Sequence, residues 1–258
     1  MAADGRKLLV LSSRLSAAAA LHRWAAYQNC DSKNMMNPAF AMINQQFIAG
    51  CAMGQQGMNA EQGGNLSAAI QFYDQAIASI QQSMFLAQQS GIYIPDNVYF
   101  SASFAHFSAA RVKNVLGWGP IAWNDLNQSL TALNQAIALN SNVVQYHVFA
   151  GTVLMTIGNL PEAERAFMTA LRLNPSEPWS QYMLAFLNSA RGNMAAANQY
   201  YYSLQQKAPN LPQMPPITQP PSGSPQGETN WIKTTSEVAD MLTKVFGAIG
   251  GFQNLMQW

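Results

Sequence analysis

One stretch of this chain recurs 34 residues further on. Residues 158–175 read GNLPEAERAFMTALRLNP, and residues 192–209 read GNMAAANQYYYSLQQKAP. Gly158 pairs with Gly192, Asn159 with Asn193, Ala163 with Ala197, Phe167 with Tyr201 and Pro175 with Pro209. This is a strong constraint on the fold. A unit so short cannot bury its own apolar face, so it must stack on a neighbour. Alanine leaves room for an adjacent helix, and the aromatic four residues on fills the gap between them. Proline after the helix stops it, because it has no amide to donate. Gly-Asn suits the tight turn inside a hairpin.

Two further copies lie upstream. In residues 64–77, Gly64, Asn65, Ala69, Tyr73 and Ala76 take the places of Gly158, Asn159, Ala163, Phe167 and Ala170. In residues 124–140, Leu126, Leu133, Ala136, Leu139 and Asn140 align with Leu160, Phe167, Ala170, Leu173 and Asn174. Gly151 and Ala185 hold the small position of the first helix, and His147 and Gln181 stand four residues before them. The period and spacing resemble the tetratricopeptide repeat family. The resemblance implies an all-α solenoid of about four helical hairpins that holds other proteins. In that family an aromatic often stands where His147 and Gln181 do.

The middle is irregular. Gly64 and Gly158 are 94 residues apart, 26 more than two periods. A helix is expected to run on through SIQQSMFLAQQSG, with a short loop, IYIPDN, after it. YFSASFAHFSAARVKNVL then reads as a helix with a small-residue face, Ser101, Ala105 and Ala109. GWGPIAW reads as an interruption longer than an ordinary repeat turn. Trp118 and Trp123 are either an exposed aromatic contact or plugs for a missing hairpin, and the sequence alone favours plugs.

Composition bounds the rest. The chain has 258 residues, enough for a sizeable core, and 49% are hydrophobic. Only 10% are charged, against roughly 25% in an average domain, and the net charge is +1. A surface built from Gln, Asn, Ser and Thr repels its neighbours weakly. That fits a subunit held in a larger assembly, and equally a lineage-specific composition. No basic stripe with interleaved aromatics is present, so nucleic acid is not an expected partner. The two cysteines, Cys30 and Cys51, make no disulfide framework and are expected as buried thiols in a reducing, cytoplasmic setting.

The ends differ from the middle. Within the N-terminal segment 1–36, residues 1–30 carry Arg6, Lys7, Arg14 and Arg23 against Asp4, and are rich in Ser, Ala and Leu. A first helix packed on the solenoid is expected there. An Arg- and Ser-rich organelle presequence is the alternative. Residues 37–207 form the expected solenoid; its first helix spans 37–58, with Asn37 as cap and Pro38 in the first turn. Residues 208–228 are rich in Pro, Ser, Gly and Gln and read as a semi-rigid linker. Residues 229–258 read as a tethered amphipathic helix and tail. Trp231, Val238, Leu242, Val245 and Ile249 make one apolar stripe, with Lys233, Glu237, Asp240 and Lys244 on other faces. The stripe must be buried on its own solenoid, on a partner or on a membrane surface. Its mixed charge makes the membrane the least favoured of the three.

Signatures of chemistry are sparse. His22, His106 and His147 are far apart, and no His-x-x-x-His or Cys-x-x-Cys pair seeds a metal site. There is no phosphate-binding Gly-rich loop and no nucleophile elbow. The expected protein is non-enzymatic and needs no cofactor. Some members of the family hold acidic carboxyl-terminal peptides with lysines on the inner helices. The corresponding segments here, SNVVQYHVFAGTVLMTIG and EPWSQYMLAFLNSARG, contain no lysine. They offer Gln145, Tyr146, Trp179, Gln181 and Tyr182 as a groove for an uncharged or apolar partner segment. The expected function is a scaffold or adaptor, with a secretion or assembly chaperone as alternative.

Overall fold

The computed structural model describes residues 38–207, which contain eight helices. These are α1 (Pro38–Gln62), α2 (Leu66–Gln89), α3 (Asp96–Val115), α4 (Gly119–Leu139), α5 (Val144–Ile157), α6 (Leu160–Leu173), α7 (Pro178–Ala190) and α8 (Met194–Lys207). They pack as four hairpins, α1–α2, α3–α4, α5–α6 and α7–α8. The all-α, hairpin-built expectation holds for this span. The expected segments 1–36, 208–228 and 229–258, including the stripe Trp231, Val238, Leu242, Val245 and Ile249, lie outside the described residues. The described helices fall into two units, α1–α4 up to Ser141 and α5–α8 from Asn142.

Each hairpin turns at one glycine in the left-handed region: Gly64 (φ 76°), Gly117 (φ 81°), Gly158 (φ 87°) and Gly192 (φ 77°). A side chain there would strain the backbone, so glycine is the residue that turns the chain. The next residue donates its amide back to a carbonyl five positions earlier. Asn65 reaches Ala60, Trp118 reaches Lys113, Asn159 reaches Leu154 and Asn193 reaches Asn188, each at 2.9 Å. The asparagine also opens the following helix: Asn65 Oδ1 accepts from the Ala68 amide (3.1 Å) and Asn159 Oδ1 from the Glu162 amide (3.4 Å). Gly-Asn thus closes one helix and caps the next.

Small residues meet aromatics inside the hairpins. A Cβ on Gly151 would stand 2.5 Å from the Phe167 ring, and one on Gly57 would stand 2.7 Å from the Tyr73 ring. Both pairs are 16 residues apart, so one packing unit recurs in both units. Phe167, Tyr73, Ala163 and Ala197 are fully buried.

Two expectations are corrected. GWGPIAW is not a long interruption. Gly117 makes the turn, and α4 begins at Gly119 with Pro120 in its first turn, where proline starts a helix rather than breaking it. No hairpin is missing either. The extra length lies in α2, α3 and α4, which run 24, 20 and 21 residues against 14 for α6. The turn of the α3–α4 copy falls seven residues before the aligned position at Asn124. Seven residues are about two helical turns, so Leu133 and Ala136 keep the buried face of Phe167 and Ala170. The first helix also runs beyond the expected 58, to Gln62.

Candidate interaction surfaces

In the α1–α4 unit, α3 is rich in Ala and Ser, which lets α4 approach closely. Ser103 and Ser129 hydroxyls meet at 3.0 Å across that contact, both buried. One turn further along sits a buried ionic cluster. Lys113 Nζ donates to Asp74 Oδ1 (2.7 Å) and to Asp125 Oδ2 (2.9 Å). His106 Nδ1 lies 3.0 Å from Asp125 Oδ1, and its Nε2 lies 3.4 Å from Gln81 Nε2. An amide nitrogen can only donate, so His106 Nε2 accepts and Nδ1 carries the proton given to Asp125.

Burial alone would raise the Asp125 carboxyl. The hydrogen bonds from His106 and Lys113, with the Lys113 charge, outweigh it and hold the group below the usual carboxylate range. Burial alone would lower Lys113; its bonds to Asp74 and Asp125 instead hold the ammonium above its ordinary value. A His–Asp pair of this kind can orient a general base. Here both ring nitrogens are engaged inside the unit and the side chains are buried, so the arrangement crosslinks α2, α3 and α4. A second network joins α1, α2 and α3. Glu61 accepts from Arg111 (2.8 Å) and from the Tyr73 hydroxyl (3.0 Å). Burial, then the Glu61 charge, pushes the Tyr73 phenol well above its usual range.

Cys51 is a free thiol, and burial pushes it up to about 12. It stays protonated and unreactive near neutral pH. Among the described residues, no group of three or more His, Cys, Asp or Glu side chains could hold a metal, and no helix is long and apolar enough to cross a membrane.

The groove expected in the second unit is not open. Tyr146, Trp179, Gln181 and Tyr182 are all buried, and only Gln145 is partly exposed. The Trp179 indole N–H donates to Thr152 Oγ1 (3.1 Å), tying α7 to α5. The Trp179 and Tyr182 rings stack with centroids 6.2 Å apart. Gln181 Nε2 donates to the Pro175 carbonyl (2.7 Å). Burial, then the nearby Tyr201, pushes the Tyr182 phenol up to about 12. The positions follow from the repeat register, but burial is set by what lies over the helix, which local sequence does not encode.

Among the described residues, a run of exposed apolar side chains lies at the α3–α4 turn. Val115 (66% exposed), Leu116 (40%), Trp118 (46%), Ile121 (55%) and Trp123 (49%) face solvent. Ile121 and Trp123 flank the buried Ala122, so they leave α4 on either side of its packed face. Residues 114–124 carry no charge. The reading of Trp118 and Trp123 as plugs is therefore corrected. The gap they would have filled does not exist, because the longer α3 and α4 pack directly on each other. The turn glycine, Gly117, was the available sign that these residues sit on a tip.

The described residues make an all-α protein of helical hairpins. No protein-family model and no curated protein sequence matches this chain. Among solved structures it is similar to two crystal structures of MamA. One is 15% identical, covering 58% of this chain and 93% of that chain at a TM-score of 0.35. The other is 15% identical, covering 65% of this chain and 98% of that chain at a TM-score of 0.34.

Proposed function

We propose that this chain is a non-enzymatic scaffold of the tetratricopeptide-repeat type, an adaptor subunit that docks a protein partner on the α3–α4 tip. The observation that supports it is the uncharged cluster Val115, Leu116, Trp118, Ile121 and Trp123, exposed on a turn that the buried ionic cluster beneath it holds in place. Tryptophan is the side chain most often found at the energetic centre of protein interfaces. Two half-exposed tryptophans on a preformed tip need little ordering before they bind. The partner is a protein with an apolar, weakly charged face, held stoichiometrically.

The test is recovery of the tagged full-length chain from its native cells. Trp118→Ser with Trp123→Ser should lower the affinity of a stoichiometric partner roughly thirty-fold or more, the effect of losing about 2 kcal/mol. Helicity and melting temperature should stay unchanged, because both rings are already half in solvent. Full retention of the partner by this variant would overturn the reading. The chaperone alternative would use the same exposed tip to shield an apolar client segment. It predicts a client that is released during assembly rather than one that co-purifies.

A further inference from the structure

Residues 114–121 at the α3–α4 turn are all exposed, so the tip stands clear of the helices that carry it. Its apolar groups do not share one face. On α4 the packed face is set by Ala122, Asp125, Leu126, Ser129, Leu133 and Ala136, all buried. Ile121 and Trp123 stand immediately before and after Ala122. Two residues advance about 200° around a helix, so these side chains leave α4 about 160° apart, one on each flank of the packed face. Leu116 and Trp118 adjoin Gly117 at the turn itself. The apolar character then stops. Asn124, Asn127, Gln128 and Thr131, the next exposed positions of α4, are neutral and polar. The apolar part of α4, from Gly119 to Trp123, is about 6 Å long. The tip also offers no charge. Lys113 and Asp125, which bracket it in sequence, are buried and bonded to each other at 2.9 Å.

We propose that the tip is a knob clasped by a cleft in its protein partner, one wall on Ile121 and the other on Trp123, both walls apolar and uncharged. This rests on the scaffold reading and adds to it the shape and chemistry of the partner. A flat partner face laid along one flank of α4 would cover Ile121 or Trp123 and leave the other in water. A cleft removes both from water, and burial of apolar surface drives most protein association. The cleft is shallow, because the exposed groups of α4 turn polar after Trp123. Its walls carry no charge, because a charge there would lose its hydration against a tip with no free counter-charge. The same neutrality makes the complex insensitive to salt, since there is no exposed ion pair to screen. A preformed two-walled cleft belongs to a folded protein rather than to an extended peptide.

The test places p-benzoylphenylalanine at Ile121 in one sample of the full-length chain and at Trp123 in another, each expressed in its native cells. Both should capture the same protein on irradiation. Mass spectrometry of the crosslinked peptides should map the two attachments to different segments of that protein. With that protein purified, Ile121→Ser and Trp123→Ser should each lower its affinity about tenfold, with melting temperatures unchanged. The double variant should lose about a hundredfold, because contacts on separate walls act independently. Raising sodium chloride from about 0.1 M to about 1 M should not weaken the complex. Capture at Ile121 without capture at Trp123, attachment of both to one segment, or a serine substitution without effect would overturn the cleft and leave the scaffold reading standing. Loss of the complex in high salt would overturn the uncharged walls. Capture of no protein at either position, or of a second copy of this chain alone, would overturn the cleft and the scaffold reading together.

Discussion

Asp125→Ala is expected to destabilise the α1–α4 unit by about 3–5 kcal/mol, the cost of breaking a buried ion pair by removing one partner. The substitution leaves Lys113 buried with only Asp74, which is itself half in solvent, and takes from His106 the acceptor of its Nδ1 proton. Urea unfolding of the purified variant, followed by circular dichroism, measures the loss. Replacing Asp125 and Lys113 together, by Leu and Met, should recover much of it, because an apolar pair of similar volume replaces an ion pair at little net cost.

The same network sets the pH dependence. Asp125 has a depressed carboxyl in the folded state, so its contribution is present above the ordinary carboxylate range and fades as pH falls through its folded value. Lys113 has a raised ammonium, so its contribution is full below about 10 and is lost as pH rises through its folded value. Tyr73 is raised as well and acts in the alkaline direction. The melting temperature of the unit should form a plateau from about pH 5 to 9 and fall on both sides. In the Asp125→Ala variant the acid limb should flatten.

Gly151→Leu is the second large effect. Even a Cβ at Gly151 would stand 2.5 Å from the Phe167 ring, and that ring is fully buried. The cost should be about 3 kcal/mol, the upper end for overpacking, reduced a little by leucine's better helix propensity. Thermal melts of the full-length chain check it. The double variant Gly151→Leu, Phe167→Ala should regain part of the stability, because the ring that clashes is gone.

These predictions also show what could be read from the sequence. The hairpin turns were legible because their chemistry is local: a left-handed glycine followed by a capping asparagine needs only two adjacent residues. Ala163, Ala197 and Phe167 were legible as packed positions because the 34-residue period repeats them. GWGPIAW was read as an interruption, although α4 already begins inside it at Gly119. A two-turn extension preserves the buried face at Leu133 and Ala136, so the pattern alone cannot tell a longer helix from a loop. The ionic cluster was invisible, since Asp74, His106, Lys113 and Asp125 come from three helices and share no motif. The groove residues Tyr146, Trp179, Gln181 and Tyr182 were placed on the right helices and given the wrong exposure. Periodicity says which face a residue is on, not what covers that face.

The central claim is that the α3–α4 tip holds a protein partner, and photo-crosslinking tests it most directly. A photoreactive amino acid placed at Ile121 of the full-length chain, expressed in its native cells, should give one dominant crosslinked product with a different protein. The same group at Gln128, exposed further along α4, should give none. A product at Ile121 that is absent, no stronger than at Gln128, or a dimer of this chain alone would contradict the account.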